Sequence, residues 1–270
     1  MQLLTGIILV LAILAVLFAF ILWTIYVKQE GFFFYPTKLS PNYPFSQFEN
    51  KKELFYDTND NGRINALLFK TKEVVNKGLV VYSHGNSRSL DDWAWVNEDF
   101  IKLGYDFLIY DYRTFGKSQG RLNEANLYSD IRHIMHEMSE IYAMDNIVIY
   151  GRSLGAAMAT QMAIEFPAKC LILETPFSSM LSMAHAGAPF IPVKYVLRYK
   201  FNNKRKMKSL KCPVHILHGT NDELIPLRHS IKLFKANANT DSTLTIIEQG
   251  THNNLSQFEL YHKTLRRILN

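Results

Sequence analysis

Cysteine is scarce in this chain, and the sequence patterns that bind metals are absent from it. Its 270 residues include two cysteines, Cys170 and Cys212, which are too few for a disulfide framework. Each begins an apolar run, so we expect buried thiols. The sequence contains neither C-x-x-C nor H-E-x-x-H, and nothing in it suggests a metal site. It also lacks internal repeats, which argues against a repeat architecture.

Acidic residues are missing from residues 194–211, although the whole chain contains 24 of them. Eight basic residues lie in that segment: Lys194, Arg198, Lys200, Lys204, Arg205, Lys206, Lys208 and Lys211. Their charge exceeds the net charge of +6, so the other residues together carry −2. The basicity is therefore local, and we do not expect nucleic acid as a partner.

Charge is also absent from residues 3–27, which are apolar apart from Thr5, Gly6 and Thr24. A helix of about 25 residues is about 37 Å long, enough to cross a hydrocarbon layer of about 30 Å. A helix in a soluble core would have a polar face, and this one has none. The alternative is a cleaved signal peptide, but a basic start and a small-residue cleavage site are missing. We therefore predict a retained single-pass membrane anchor over residues 1–28.

The residues after the anchor suggest a membrane interface and an orientation. An interfacial aromatic belt is predicted at Trp23, Tyr26, Phe32, Phe33, Phe34 and Tyr35. Lysines follow the apolar run, and the positive-inside rule then places the large domain on the cytoplasmic side. Residues 29–50 include three prolines and are predicted to form a juxtamembrane linker.

The remaining residues, 51–270, have the pattern of an α/β domain with a substantial core. Apolar residues make up 48% of the chain and aromatic residues 13%. Strands are predicted at 53–57, 63–70, 78–83, 107–110, 146–150, 171–173, 214–217 and 244–247. Helices are predicted at 90–103, 127–142, from 154 onward, at 227–235 and at 255–268. Alternating strands and helices predict a mainly parallel sheet covered on both faces, with reactive residues at the carboxyl ends of the strands.

One strand-to-helix turn stands out, the G-x-S-x-G string from Gly151 to Gly155. In such a turn the serine has a strained backbone, and the glycines avoid collisions with the neighbouring strand and helix. The Ser153 hydroxyl is then exposed at a helix N-terminus, which favours developing negative charge. The string alone is weak evidence, and an ordinary glycine-rich loop is the alternative.

Two further residues complete a catalytic hypothesis. A serine needs a base to take its proton, and the base needs a carboxylate to orient it. In this architecture the chain order is serine, acid, histidine, and Asp222 and His252 each follow a predicted strand. We expect Ser153 as nucleophile, His252 as general base and then acid, and Asp222 as the orienting carboxylate. Glu223 and Glu174 are the rival acids.

A hydrolytic intermediate also needs two amide donors for its oxyanion. Leu154, which follows the nucleophile, would supply one amide. The loop after the strand at 78–83 would supply the other, from Asn86. In the same loop His84 precedes a glycine at a strand end, so we expect it to have a supporting rather than a catalytic role.

Together these residues resemble the α/β-hydrolase fold, and more narrowly the membrane-anchored serine hydrolases of the α/β-hydrolase-domain type 13 and type 17 groups. The resemblance covers residues 33–269. It is carried in order by His84-Gly85-Asn86, Asp111-Tyr112-Arg113, Gly116-Lys117-Ser118, Gly151 to Gly155, Glu174-Thr175-Pro176-Phe177, the Asp222 loop to Pro226, and His252-Asn253. It implies cleavage of esters, thioesters including protein palmitoyl groups, or occasionally peptides, without a cofactor.

The chain departs from the pattern of these groups at three positions. Thr114, Ala156 and Thr251 stand where glycine is usual. None of the three removes a reacting group. The departures therefore leave the expected fold intact and leave the substrate open.

Residues 178–211 are predicted to form a cap. The segment combines the basic cluster with apolar residues: Met180, Leu181, Met183, Phe190, Ile191, Val193, Val196, Leu197 and Phe201. Such a surface suits a lipid-like acyl group near an anionic membrane. Alternatively, the apolar residues pack on the core and the lysines are solvated.

The sequence thus predicts a membrane-tethered serine hydrolase that cleaves an ester or thioester through an acyl-enzyme. An aminopeptidase-like serine peptidase of the same fold is the alternative, because it would use the same groups. A non-catalytic binding protein is a third possibility, against which the complete Ser-Asp-His set argues. The oligomeric state is left open.

Overall fold

A computed structural model of the chain describes residues 2–187 and 191–270. The α-helices within this part are α1 (Gln2–Phe33), α2 (Leu90–Trp93), α3 (Glu98–Ile101), α4 (Glu124–Ser139), α5 (Gly155–Glu165), α6 (Met180–Gly187), α7 (Asn203–Met207), α8 (Arg228–Ala236) and α9 (Glu259–Leu269). The strands are β1 (Tyr35–Pro36), β2 (Lys51–Asp57), β3 (Arg63–Phe69), β4 (Gly78–Ser83), β5 (Ser87–Arg88), β6 (Tyr105–Tyr110), β7 (Ile147–Arg152), β8 (Cys170–Glu174), β9 (Val214–Gly219) and β10 (Thr243–Ile247).

Eight strands form one sheet in the order β10-β9-β8-β7-β4-β6-β3-β2. β3 runs antiparallel to both β2 and β6, and the other neighbouring pairs are parallel. Gly151 of β7 lies level with Ser83 of β4 and Leu173 of β8. The carboxyl ends of these strands therefore meet at one edge, where loops can bring distant residues together. This is the α/β-hydrolase fold, as the sequence resemblance predicted.

Both faces of the sheet are covered, which explains the continuous apolar strands. Every residue of β4 is buried. One hydrophobic core includes apolar residues of α4 and α5, and the second includes apolar residues of α2, α3 and α9. A strand covered on both faces cannot alternate polar with apolar side chains, so Val80 and Val81 are both buried.

Three predicted helices are shorter or are broken in the structure, and in the first a local polar contact competes with the helix. The segment 90–103 is divided into α2, a 3₁₀ turn and α3, and the Asn97 side chain donates to the carbonyl of Ala94 at 2.6 Å. α4 ends at Ser139, so Ile141 lies beyond it and is exposed. The last segment likewise divides into a 3₁₀ turn, Leu255–Gln257, and α9.

α1 is the helix of the described chain that is long and apolar enough to cross a membrane, judged by length and composition. It has 32 residues, and its most apolar 18-residue window has a mean hydropathy of 3.1. It continues to Phe33, past the expected end at residue 28, and the residues after it are not a free linker. Tyr35–Pro36 pairs with Ser87–Arg88 as parallel strands. Phe34 is buried in the core, so its assignment to an interfacial belt was wrong.

The cap consists of α6, a 3₁₀ turn at Val193–Tyr195, and α7. Phe190, one of its expected apolar residues, lies outside the described residues. Val193 and Phe201 are buried, whereas Leu181 is exposed, so the cap both packs on the domain and keeps apolar surface. Lys206 is half buried beside Tyr128, to whose hydroxyl it donates at 2.7 Å.

Candidate active site

The turn between β7 and α5 places Ser153 in the left-handed region of backbone space, with φ of 54°. Close packing on both sides explains the flanking glycines. A Cβ atom on Gly155 would lie 1.9 Å from the carbonyl oxygen of Ser83, and one on Gly151 would lie 2.5 Å from the Cβ of Ala159. The turn therefore has the geometry of a nucleophile elbow, in which strained backbone presents the serine.

Ser153, His252 and Asp222 form one hydrogen-bonded chain. His252 Nε2 lies 3.0 Å from Ser153 Oγ, and His252 Nδ1 lies 2.8 Å from Asp222 Oδ2. The three residues follow β7, β10 and β9, whose carboxyl ends lie at the same sheet edge. The structure thus brings together three residues that are up to 99 positions apart in sequence.

Asp222 is held as a carboxylate by its surroundings. Burial raises its pKa, but the rings of His218 and His252 and the amide of Ile225 lower it more, so the pKa lies well below its ordinary value. The other carboxylate oxygen, Oδ1, accepts from the amides of Leu224 at 3.0 Å and Ile225 at 2.8 Å. An ionised, fixed carboxylate holds a proton on Nδ1 of His252 and leaves Nε2 free to accept one.

Neither rival acid is placed to take this role. Glu174 accepts from the hydroxyl of Tyr150 at 2.7 Å and pairs with Arg152 at 3.3 Å. Glu223 is exposed on the loop beside Asp222. In the described part of the chain, the carboxylate that contacts His252 is that of Asp222.

The two expected oxyanion donors line the same cavity as Ser153. This cavity has a volume of about 220 Å³, and Asn86 and Leu154 both border it. Within the described residues neither amide donates a hydrogen bond to the protein, which leaves both free for a ligand. The Asn86 side chain donates to the carbonyl of Phe33 at 3.1 Å and so fixes this loop.

His84 is buried behind the Asn86 loop, as expected for a supporting residue. Its Nδ1 lies 2.7 Å from the carbonyl oxygen of Gly85, and its ring packs between Trp93 and Tyr112. Its Nε2 lies 3.3 Å from Asp111 Oδ1, but this pair is not aligned for a hydrogen bond. It has no described contact with the Ser153 hydroxyl.

Arg152 contacts the histidine loop in a way the sequence did not reveal. Its Nη2 donates to the carbonyl of His252 and to the side chain of Asn253, each at 3.2 Å. Its guanidinium also stacks 5.0 Å from the ring centre of Trp93. Arg152 is the variable residue after the first glycine of G-x-S-x-G, a position that gives no signal by itself.

His218 braces the acid from the other side. Its Nδ1 lies 2.6 Å from Ser230 Oγ, and its Nε2 lies 2.7 Å from the carbonyl of Ile225 and 3.3 Å from Asp222 Oδ2. A carbonyl only accepts, so Nε2 carries the proton and Nδ1 accepts from the serine hydroxyl. In the sequence this histidine only follows the strand predicted at 214–217, a position that gives no sign of this contact.

The cavity beside Ser153 is mainly apolar. Its wall includes the side chains of Phe32, Phe33, Phe177, Met180, Met183 and Leu224. No acidic or basic residue is among the described residues that line it. Such a cavity suits an apolar group bound next to a serine hydroxyl, a base and two free amides, the set that acyl transfer requires.

Comparison with known proteins agrees with the fold. A family model described as "Serine aminopeptidase, S33" matches residues 75–196. The human alpha/beta hydrolase domain-containing protein 17B is 27% identical over 252 residues, covering 91% of this chain and 81% of the relative. An uncharacterized protein of Mycobacterium tuberculosis is 26% identical over 231 residues, covering 85% of this chain and 82% of its own.

Solved structures show the same architecture. An esterase of Pyrococcus furiosus superposes with a TM-score of 0.68 at 20% identity, over 88% of this chain and 96% of that one. The esterase domain of a Rhodothermus marinus protein gives a TM-score of 0.63 at 17% identity, over 82% and 99%. The chain is thus an α/β-hydrolase-fold protein that resembles the type 17 group.

Proposed function

We propose that this α/β-hydrolase-fold protein is a serine hydrolase, tethered to a membrane by α1, that cleaves a carboxylic ester or thioester. The observation that carries the proposal is the hydrogen-bonded chain from Ser153 through His252 to Asp222 beside an apolar cavity. The main sheet of the catalytic domain begins with β2 at Lys51, residues 34–50 pack onto that domain, and its cap lies at 178–211. The lysines after the anchor favour the cytoplasmic side for this domain.

In the first half-reaction Nε2 of His252 takes the proton of Ser153 as Oγ attacks the acyl carbon. A tetrahedral intermediate forms, and its oxyanion accepts from the amides of Leu154 and Asn86. The imidazolium then gives its proton to the leaving alcohol or thiol, and the acyl group stays on Oγ. Asp222 stays ionised throughout and stabilises the imidazolium.

In the second half-reaction water replaces the leaving group. His252 takes a proton from the water, the hydroxide adds to the acyl carbon, and a second tetrahedral intermediate forms in the same oxyanion site. Its collapse returns the proton to Oγ of Ser153 and releases the carboxylic acid. No cofactor takes part in this sequence.

The cavity favours an ester or thioester with an apolar acyl group over a peptide. The family model's description, an aminopeptidase, is the observation that favours a peptidase as second candidate. An aminopeptidase needs an anionic or polar group for the substrate's ammonium, because an unpaired buried charge is costly. The described cavity lining contains no carboxylate, so the hypothesis of an ester or thioester substrate has the better support.

Labelling with a fluorophosphonate tests the proposal. We expect covalent labelling of the wild-type protein and none of Ser153→Ala. Ser139→Ala, which changes a partly buried serine at the end of α4, is the matched control and should label like wild type. An unlabelled wild-type protein, or a labelled Ser153→Ala, would refute the proposal.

A substrate panel then separates the two candidates. Esters, thioesters and aminoacyl amides of matched chain length are incubated with unlabelled wild-type enzyme from a preparation that reacts with the fluorophosphonate. Faster cleavage of esters and thioesters is expected, whereas a preference for aminoacyl amides would favour the peptidase.

Esters of increasing chain length, with and without anionic vesicles, test whether the cap takes acyl chains from the bilayer. A rate that responds to neither would exclude that route.

A further inference from the structure

The last turn of α1 is held against the cap by one buried side chain. Gln29 is buried, whereas the other described residues of α1 are exposed or only partly buried. Its amide nitrogen donates to the carbonyl of Val196 at 3.1 Å, and its carbonyl oxygen accepts from the amides of Arg198 at 2.7 Å and Tyr199 at 3.2 Å. Three hydrogen bonds to backbone groups in a buried contact fix the helix end relative to the cap.

Neighbouring side chains extend this contact. Glu30 Oε1 accepts from the guanidinium of Arg198 at 2.9 Å and from the hydroxyl of Tyr199 at 3.0 Å. The ring of Phe34 packs edge-on against Tyr199, with ring centres 5.1 Å apart. The end of α1 is therefore part of the folded domain and not a flexible tether.

The same turn is bonded to the loop that carries the proposed oxyanion donor. The Asn86 side chain donates to the carbonyl of Phe33 at 3.1 Å, and the amide of Tyr35 donates to the carbonyl of Asn86 at 2.8 Å. Asn86 is thus held through its side chain by the end of α1 and through its carbonyl by β1, and these contacts help to fix the position of its amide. Ser153 lies in the cavity that this loop borders.

Phe32 and Phe33 belong to the wall of that cavity, together with Met180 and Met183 of α6. Phe32 is 55% exposed, so it packs little against the core and can be changed without opening a void there. Phe33 is partly buried against the core and contacts Tyr199. An apolar chain attached to an acyl group on Ser153 would meet these rings.

We propose that the end of α1 forms a wall of the substrate cavity, and that Phe32 and Phe33 are specificity-determining residues that contact the apolar part of the acyl group. This inference rests on the proposed function, because it requires Ser153 to be the nucleophile. The anchor helix and the active site are then one structure. The acyl chain reaches Ser153 beside the helix that enters the membrane.

The test measures how the rate of Ser153 modification depends on chain length. The full chain in detergent micelles is treated with n-alkyl fluorophosphonates of increasing length. The readout is the ratio of rate constants for the longest and shortest probes. Phe32→Ala enlarges the cavity and should raise this ratio roughly tenfold, whereas Phe32→Trp should lower it by a similar factor. Phe20→Ala, on the exposed part of α1, should leave the ratio unchanged.

The opposite changes expected for alanine and tryptophan exclude a simple loss of folding, which would slow all probes equally. An unchanged ratio in both Phe32 variants, with Ser153 still reactive, would overturn this inference alone. A wild-type Ser153 that reacts with no probe would overturn the proposed function, and this inference with it.

Discussion

At the scale of single residues, the three departures from the glycines of related groups differ in their physical cost. Thr114 has φ of 73°, in the left-handed region that glycine adopts freely and a β-branched residue adopts with strain. Thr251 is exposed, donates its amide to the Asn254 side chain at 2.7 Å, and is not among the described residues with positive φ. Of these two residues, only Thr114 should therefore cost stability.

Thr114→Gly is expected to stabilise the protein. Relief of left-handed strain is worth about 1–2 kcal/mol, and the greater freedom of glycine in the unfolded chain cancels about 0.4–1 kcal/mol of it. The net gain should be up to about 1.5 kcal/mol, seen as a higher midpoint of thermal unfolding in detergent. Thr251→Gly is the control and should give no gain. A lower midpoint for Thr114→Gly would contradict the argument from strain.

A buried histidine should make the fold sensitive to acid. His229 is buried, and its Nδ1 lies 2.9 Å from Ser178 Oγ. Burial, helped by Arg228 and Lys232 and by the His218 ring, lowers its pKa to about 4, although Asp222 acts in the opposite direction. The unfolded chain, with a histidine pKa of about 6.5, binds more protons in this window. Stability should therefore be complete above about pH 6.5 and decline as the pH falls towards 4.

The free energy of unfolding should fall by about 3 kcal/mol once the pH has dropped from about 6.5 to about 4, because one pKa unit corresponds to about 1.4 kcal/mol. Unfolding midpoints measured between neutral pH and pH 4 check it. His229→Gln should make the unfolding midpoint fall less steeply as the pH decreases. His136→Gln, which changes an exposed histidine of α4, should leave that pH dependence unchanged. Equal pH dependence in wild type and His229→Gln would contradict the assignment.

At the scale of elements, the β7–turn–α5 unit depends on a backbone approach that tolerates no side chain. The Cβ of an alanine at residue 155 would lie 1.9 Å from the carbonyl oxygen of Ser83 in β4, a backbone atom that cannot rotate away. Gly155→Ala should therefore destabilise the protein by more than about 3 kcal/mol, at or above the usual cost of overpacking. It should also abolish labelling of Ser153.

Gly6→Ala is the matched control for this substitution. A Cβ at residue 6 would meet nothing within 4 Å. In the middle of a helix, alanine should be tolerated or slightly stabilising. Thermal unfolding and fluorophosphonate labelling of both variants check the pair. A Gly155→Ala protein with the wild-type midpoint would show that the strand and helix can separate at this point.

The elements were predictable to different degrees for a physical reason. Strands such as β4 and β7 are buried on both faces, so their composition alone marks them. The elbow and the positions of Asp222 and His252 follow from strand ends, which topology gathers at one edge. By contrast, the break at Asn97 depends on one local hydrogen bond that competes with the helix.

Two of the contacts between distant segments, those of Gln29 and Arg152, had no signal in the sequence. Gln29 bonds residues that are up to 170 positions away, and Arg152 reaches the loop of His252, 100 positions away. A polar residue near the end of an apolar run, such as Gln29, is as typical of a membrane interface as of a buried contact within a domain. Phe33 and Phe34 suggested a membrane belt, but packing against Tyr199 decides their position.

At the scale of the whole molecule, α1 and the domain are joined by the Gln29 contact. Gln29→Leu removes three hydrogen bonds and leaves the carbonyl of Val196 and the amide of Arg198 without their partner. An unsatisfied buried group costs about 1–3 kcal/mol, so the cap should loosen from α1. Amide hydrogen exchange in residues 191–199 should become faster by roughly tenfold or more.

Gln47→Leu changes an exposed glutamine whose described hydrogen bond is to Tyr43, outside the cap, and is the control for this variant. In Gln47→Leu, amide hydrogen exchange in residues 191–199 should be as slow as in wild type. Protection of these amides that stays unchanged in Gln29→Leu would show that the cap does not depend on α1. The same result would weaken the case for α1 as a wall of the cavity.

The central claim is that His252 and Asp222 activate Ser153. It is tested most directly by the rate of fluorophosphonate modification, with the adduct located by peptide mass spectrometry. The adduct is expected on Ser153 in wild type and in Glu223→Gln. The rate should fall by a factor of roughly a thousand or more in His252→Gln and Asp222→Asn. Modification of another residue, or wild-type rates in these two variants, would contradict the account.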